Sequence, residues 1–184
     1  ASLVIAGLLA PSHVVKDREE SGLKGGWHWV QTGEVTEGSV SMRFEIWKLS
    51  LRMIAEEPWL GHGSVGARER WHVLLNEGKA HQSLVDLVKA NPKFSTADNE
   101  MLGALKGGGL LGMLGLLAGY VGVWMAFWLW RRHEDAQIKT LSTIGLLLVL
   151  MYLEFGLTVS VFGINVFRSV FVTLAVVLLA FITV

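Results

Sequence analysis

The sequence contains no cysteine and only three prolines, and its formal net charge at pH 7 is zero. The absence of cysteine excludes a disulfide framework and any thiolate metal site. The six histidines lack the i, i+4 pairing and the short spacings that zinc sites show, so we expect no metal and no cofactor. No basic stripe with interleaved aromatic residues is present, and a nucleic-acid partner is therefore not expected.

The sequence is instead rich in hydrophobic residues. They make up 52% of its 184 residues, and many of them lie in three long apolar runs. The run 107–130 carries no charge, and the other two carry one charged residue each, Glu154 and Arg168. A helix that crosses a bilayer needs about 20 predominantly apolar residues. We therefore predict membrane-spanning helices at 106–130, 141–162 and 167–184.

The first ten residues are also apolar, but they are too few to cross a bilayer. They lack the basic flank of a secretory signal, and the chain does not begin with methionine. We interpret residues 1–10 as the end of a truncated membrane-spanning helix. The chain is then expected to be the C-terminal part of a longer polytopic membrane protein.

Charge in the connecting segments predicts the orientation. The short loop 131–140 contains Arg131, Arg132 and Lys139. Short loops rich in lysine and arginine stay in the cytoplasm, whereas long segments cross largely regardless of their charge. We therefore expect loop 131–140 to be cytoplasmic and segments 11–105 and 163–166 to be periplasmic, as in a protein of a bacterial inner membrane.

The long segment 11–105 is predicted to be mostly helical. Residues 21–38 are rich in glycine and polar side chains, which favours an irregular loop with at most a short strand. A helix is predicted to begin near Ser39 and to end before Pro58. Its expected apolar face consists of Phe44, Trp47, Leu51 and Ile54.

Two more helices are predicted at 67–76 and 81–90, and a last one is expected to begin at Ala97 and to run unbroken into the membrane. The predicted fold is all-α, a polytopic transmembrane helical bundle with a mostly helical periplasmic loop domain.

Two places in the long segment carry candidate chemistry. Arg43 lies in the first turn of its helix, where free backbone N–H groups and a guanidinium both favour a phosphate. The alternative is a solvated arginine paired with a neighbouring acid. Asp98 and Asn99 precede the first membrane helix and can act as a helix cap. Asp98 could instead accept a proton from a sugar hydroxyl.

Two stretches together resemble the C-terminal half of the O-antigen ligase and polymerase family of bacterial membrane glycosyltransferases. The first, SVSMRFEIWKLSLRMIAEEPWLGHG, looks like the periplasmic helix of that family followed by a P-x-x-G-x-G turn. The second, DNEMLGALKGGGLLG, is similar to its His-Asn signature. The YLEFGLT stretch looks like its penultimate helix. The matching positions are Ser41, Arg43, Trp47, Pro58, Gly61 and Gly63 in the first stretch, and Asn99, Gly109 and Gly112 in the second.

The resemblance implies a GT-C-like bundle that transfers a glycan from undecaprenyl diphosphate to a hydroxyl acceptor, without a metal. For a ligase the acceptor is the lipid A-core, and for a polymerase it is another lipid-linked repeat unit. A transporter component that uses Glu154 as part of a pathway, and a non-catalytic membrane scaffold, are the alternatives of other classes.

The resemblance also implies roles for individual residues. The arginine that holds the donor diphosphate corresponds to Arg43, and the histidine that activates the acceptor corresponds to Asp98. This aspartate is a departure, because a carboxylate is a weaker base than a neutral imidazole unless burial raises its pKa. The expected substrate-binding residues are Trp47, Arg68, Arg70 and Asn99.

Overall fold

The computed structural model describes residues 13–35, 39–90, 99–160 and 163–183. These residues form seven α-helices and no strand, which confirms the prediction of an all-α fold. The helices, numbered in chain order, are α1 His13–Thr32, α2 Ser39–Glu56, α3 Gly63–Asn76, α4 Gln82–Ala90, α5 Glu100–Trp128, α6 Ala136–Gly156 and α7 Asn165–Thr183.

The loop predicted over residues 21–38 is wrong for residues 21–32, since α1 continues to Thr32; residues 33–35 lie outside any helix, and residues 36–38 lie outside the described residues. The glycines that suggested a loop lie where α1 packs closely against α2. A Cβ atom at Gly22 would be 3.2 Å from Val40, and one at Gly26 would be 3.1 Å from Phe44. Glycine is used here for close approach between helices rather than for a turn.

The apolar face predicted for α2 is only partly correct, since Phe44, Trp47 and Ile54 are partly buried but do not form the core; the helix itself and its end before Pro58 are confirmed. Leu51 is 55% exposed, and the buried side chains are Ile46, Leu49 and Met53. Apolar residues occur all around α2, because it contacts α1, α3, α4 and α5. Periodicity in one helix could not show which of these contacts forms the core.

Helices α3 and α4 complete this core from the other side. We call α1–α4 the extramembrane domain. Its buried apolar side chains form one cluster, made of Ile46, Leu49, Met53, Ala67, Trp71, Leu74, Leu75, Leu84 and Val88.

Helices α5, α6 and α7 are each long and apolar enough to cross a membrane. They contain 29, 21 and 19 residues and agree with the three predicted apolar runs. Helix α6 packs against both α5 and α7, and Tyr152 of α6 contacts Phe171 of α7.

Polar groups and a close glycine contact hold these helices together. The Ser142 hydroxyl donates to the Phe127 carbonyl over 2.6 Å, and the Tyr152 hydroxyl donates to the Phe167 carbonyl over 3.0 Å. Gly145 lies against the Phe127 ring, where a side chain would clash. Close packing and interhelical hydrogen bonds are what associates helices in a bilayer, since lipid offers no hydrophobic force between them.

The prediction that the last helix of the long segment enters the membrane unbroken is wrong. Helix α5 is interrupted at Gly109, whose φ of 59° and ψ of −155° are not helical. Such a backbone conformation is essentially restricted to glycine. The break leaves carbonyl groups before Gly109 and N–H groups after it without partners in the helix.

The turn that follows α2 supplies the missing partners. The Leu110 N–H donates to the Pro58 carbonyl over 2.8 Å, and the Leu111 N–H donates to the Trp59 carbonyl over 3.3 Å. In return, the His62 N–H donates to the Lys106 carbonyl over 3.0 Å.

The turn after α2 and helix α5 come into backbone contact where each has a glycine. A Cβ atom at Gly109 would lie 2.4 Å from the Trp59 carbonyl carbon, and one at Gly61 would lie 2.5 Å from the Gly109 nitrogen. We call this contact, made by Gly61 and Gly109 and the hydrogen bonds around them, the glycine crossing.

The glycine crossing is expected to be intolerant of any side chain. Gly109→Ala combines a clash with a backbone strain of about 1–3 kcal/mol, so it should lower the free energy of unfolding by more than about 2 kcal/mol. The measurement is the thermal unfolding midpoint of the purified protein in detergent.

The matched control is Gly108→Ala, because a Cβ atom at the neighbouring Gly108 meets nothing within 4 Å. Equal midpoints for the two variants would show that the crossing does not contribute to stability.

Candidate functional site

Arg43 is the fifth residue of α2, just beyond the first turn in which the sequence predicts it to lie, and it is half-buried. It forms no hydrogen bond or ion pair with any other residue that the structure describes. The expected alternative, an arginine paired with a neighbouring acid, is not seen among the described residues, and the nearby Glu45 accepts from the His81 N–H instead. A guanidinium carries five N–H donors, and none of the described residues accepts a hydrogen bond from that of Arg43.

Trp47 follows Arg43 by one helical turn, so the two residues lie on the same face of α2. Its ring lies 5.7 Å from the Phe44 ring and packs against the extramembrane core. Its indole N–H is buried and has no hydrogen-bond partner in the described part of the chain. The structure thus places Trp47 beside Arg43 with its polar atom covered by neighbouring atoms.

Glu45 is a buried carboxylate that connects three helices, and only 2% of it is exposed. It accepts hydrogen bonds from the Trp29 indole of α1 at 3.2 Å, from the Lys48 ammonium at 3.3 Å, and from the His81 backbone N–H before α4 at 2.9 Å. Sequence reasoning missed this residue. Its flanking positions one turn away on α2, Met42 and Leu49, are apolar and signal burial.

Removal of the Glu45 carboxylate should destabilise the extramembrane domain. Glu45→Ala leaves partly buried N–H donors without an acceptor, which costs up to about 1–3 kcal/mol. Thermal unfolding of the purified protein measures the loss, with Glu69→Ala as control because Glu69 is exposed on α3. A midpoint no lower than that of the control would contradict the role given to Glu45.

Arg70 lies on α3 and is already paired. Its Nε and Nη2 atoms donate to the two carboxylate oxygens of Glu56 over 2.6 and 2.5 Å, and its Nη1 lies 3.6 Å from Glu77. The hydrogen bond from Arg70 holds the pKa of Glu56 below its ordinary value of 4.5, and Glu56 raises the pKa of Arg70 in return. Arg68, by contrast, is exposed.

The lowered pKa of Glu56 predicts a dependence of stability on pH. A carboxyl group with a lowered folded-state pKa stabilises the fold above its unfolded pKa of about 4.5, and this contribution is lost as the pH falls through the folded value. Glu56→Gln should therefore be less stable than the wild type at neutral pH, by a small and salt-sensitive amount because the pair is partly exposed.

The difference between the two proteins should shrink as the pH falls below 4.5, as followed by thermal unfolding across an acid series. Glu69→Gln is the control. A difference that stays constant down to the most acidic buffer would contradict the ion pair as its source.

Asn99 caps α5, so the expected cap is confirmed for this residue. Its Oδ1 accepts from the Leu102 N–H over 3.0 Å, and its Nδ2 donates to the Leu157 carbonyl at the end of α6 over 3.0 Å. The amide thus joins the start of α5 to the end of α6. Asp98 lies outside the described residues, and its role stays a prediction.

Lys106 is a buried cation in α5, just before the helix break. Its ammonium lies 5.0 Å from the centre of the Trp71 ring of α3, in cation–π contact. Sequence reasoning treated this lysine only as the edge of an apolar run. The contact places α3, as well as the turn after α2, against the first half of α5.

The side chains of His62 and His81 contact backbone atoms, and Glu154, the acid of α6, is exposed. The His62 Nε2 lies 2.9 Å from the Met53 carbonyl, and the His81 Nδ1 accepts from the Ser83 N–H at the start of α4. Within the described ranges, no group of three or more His, Asp or Glu side chains is placed to hold a metal ion. Glu154 is exposed on the surface of α6.

Taken as a class, this is a membrane protein: the helical domain α1–α4, which holds a candidate anion-binding arginine, is joined to the first of the three candidate membrane spans found in the described residues. The family model described as O-antigen ligase matches residues 2–117, which is more than half of the chain. The chain therefore belongs to the O-antigen ligase family, and the resemblance found in the sequence is confirmed.

A curated relative is named O-antigen ligase and comes from Pseudomonas aeruginosa. The two sequences are 32% identical over 110 residues, which is 59% of this chain and 23% of that protein. The chain thus matches about a quarter of the length of this relative. Arg43, Trp47, Arg68, Arg70 and Asn99 all lie within the residues that the family model covers.

Proposed function

We propose that this chain is part of an O-antigen ligase-type glycosyltransferase, which moves a glycan from undecaprenyl diphosphate to a sugar hydroxyl of the lipid A-core. The observation that carries the proposal is Arg43, a half-buried guanidinium that pairs with no other described residue. Family membership and the name of the relative from Pseudomonas aeruginosa support the same activity.

The proposed location is the bacterial inner membrane, with the extramembrane domain on the periplasmic face. Arg131 and Arg132 support this orientation, because basic residues in short loops remain in the cytoplasm. The Arg131 guanidinium stacks on the Trp128 ring at 3.3 Å, an arrangement that suits the interfacial region at the end of a membrane helix.

Arg43 is proposed to bind the donor diphosphate. A guanidinium makes paired, charge-assisted hydrogen bonds to phosphate oxygens, and these strengthen as negative charge develops on the leaving group. The acceptor oxygen bonds to the anomeric carbon of the glycan, and the bond from that carbon to the diphosphate breaks. Undecaprenyl diphosphate leaves with the electron pair, and we propose that Arg43 stabilises it without a metal.

Asp98 is proposed to accept the proton of the attacking hydroxyl. It directly precedes Asn99 in the sequence, and the Asn99 amide bonds to both α5 and the end of α6. We propose that bound glycan excludes water from this carboxylate, since desolvation raises the pKa of a carboxyl group and makes it a stronger base. The second N–H of the Asn99 amide is proposed to orient the substrate.

The roles proposed for the remaining candidate residues follow from their exposure and their contacts. Arg68 is exposed and is proposed as the second cation for the anionic donor or for phosphates of the lipid A-core. Arg70 is paired with Glu56, so we propose that it acts through the position of α3. Trp47 is proposed to line the substrate side of α2 next to Arg43.

The test is a transfer assay on the full-length protein, with lipid-linked glycan as donor and lipid A-core as acceptor. Arg43→Ala and Asp98→Ala should each lower kcat by about 100-fold or more, because each removes an interaction that is made in the transition state. Thermal unfolding midpoints should stay at the wild-type value for Arg43→Ala, since Arg43 contacts no described polar partner.

Two control variants complete the assay. Lys24→Ala removes an exposed cation of α1 and should keep the wild-type rate. Glu154→Gln should also keep it, whereas a transporter would be impaired more by Glu154→Gln than by Arg43→Ala. Wild-type turnover in both Arg43→Ala and Asp98→Ala would overturn the proposed mechanism.

A further inference from the structure

The turn after α2 exposes large apolar side chains at the glycine crossing. Trp59 is 69% exposed and Leu60 is 68% exposed. Val65 in the first turn of α3 is exposed as well. A contiguous group of large apolar side chains on a protein surface marks a site of contact with a membrane or with another protein.

These side chains continue the exposed apolar surface of α5. The Leu111 N–H is bonded to the Trp59 carbonyl, and the Leu110 N–H to the Pro58 carbonyl, so the turn lies at the same level as this part of α5. Leu111 is itself 60% exposed, and Leu110 is exposed beside it. We call Trp59, Leu60, Leu110 and Leu111 the turn patch.

The length of α5 indicates how deep the turn patch lies. Residues 110–128 continue from the break to the end of α5, and 19 residues at about 1.5 Å each span about 28 Å. This is close to the hydrocarbon thickness of a bilayer, about 30 Å. With Trp128 and Arg131 at one interface, Gly109 falls at the other, which is the level where tryptophan is enriched.

The backbone at this level is suited to a membrane interface. A bilayer tolerates an irregular segment only where its polar groups are bonded within the protein. In the turn, the Pro58 and Trp59 carbonyls accept from α5, and the Gly61 N–H donates to the Glu57 carbonyl over 3.1 Å. The turn can therefore enter the interfacial region without leaving these groups unpaired.

We propose that the turn after α2 inserts Trp59 and Leu60 into the bilayer, between the lipid headgroups and the upper part of the acyl chains. The extramembrane domain is then held at the membrane by two attachments, the glycine crossing to α5 and this lipid contact. The proposal gives the P-x-x-G-x-G turn a role as a membrane-seated segment, and it does not depend on the proposed function.

Spin labels can test this, since the chain has no cysteine of its own. Leu60→Cys carries the label in the turn, and Gln82→Cys carries it at the exposed start of α4. The full-length protein, in a background without other cysteines, is reconstituted in vesicles of phosphatidylethanolamine and phosphatidylglycerol. Collision rates are measured with oxygen, which concentrates in lipid, and with a water-soluble nickel complex.

At residue 60, oxygen should collide with the label several times more often than the nickel complex, and at residue 82 the nickel complex should dominate. Nickel access at residue 60 equal to that at residue 82 overturns the proposal, because the turn then faces water. A label at residue 60 that neither reagent reaches also overturns it, because the turn is then covered by protein.

A second measurement needs no cysteine. The fluorescence of Trp59 is obtained as the difference between wild-type protein and Trp59→Phe in the same vesicles. Lipids brominated near the top of the acyl chain should quench most of this difference. A difference that brominated lipids leave unchanged places Trp59 outside the bilayer and overturns the proposal.

Discussion

The structure depends on one backbone contact, the glycine crossing. Gly61 and Gly109 approach so closely that neither position has room for a side chain. The three hydrogen bonds around them give partners to backbone groups next to the break in α5. Because the contact is made by main chain on both sides, it fixes the end of α2, and hence the position of Arg43, relative to the membrane helix.

The extramembrane domain is organised around α2 by two different kinds of contact. Its apolar core packs α3 and α4 on one side, through Trp71 and Leu84 among others. The buried carboxylate of Glu45 connects the other elements, since it bonds to both Trp29 of α1 and the backbone before α4. Packing supplies most of the stability, whereas the hydrogen bonds of Glu45 select one arrangement of the helices.

Sequence patterns predicted the elements better than their contacts. Length and lack of charge were sufficient for the three membrane helices, and Pro58 for the end of α2, because these signals are local. The glycines of α1 were misread, since glycine in a close helix contact looks the same in sequence as glycine in a turn. Arg43 was a candidate from its place near a helix N-terminus and gained a role from the family motifs. That it pairs with no described residue, and that Arg70 pairs with Glu56, depends on distant parts of the chain.

The first part of α5, from Asn99 to Gly109, is held by contacts at both of its ends. Asn99 fastens one end to the Leu157 carbonyl, and the glycine crossing fastens the other. Each residue added to a helix advances it by about 1.5 Å and turns it by about 100°. An insertion or deletion between Asn99 and Gly109 would therefore rotate one of these two residues away from its contact. The number of residues between Asn99 and Gly109 is therefore fixed by the distance between the two contacts that hold this part of α5.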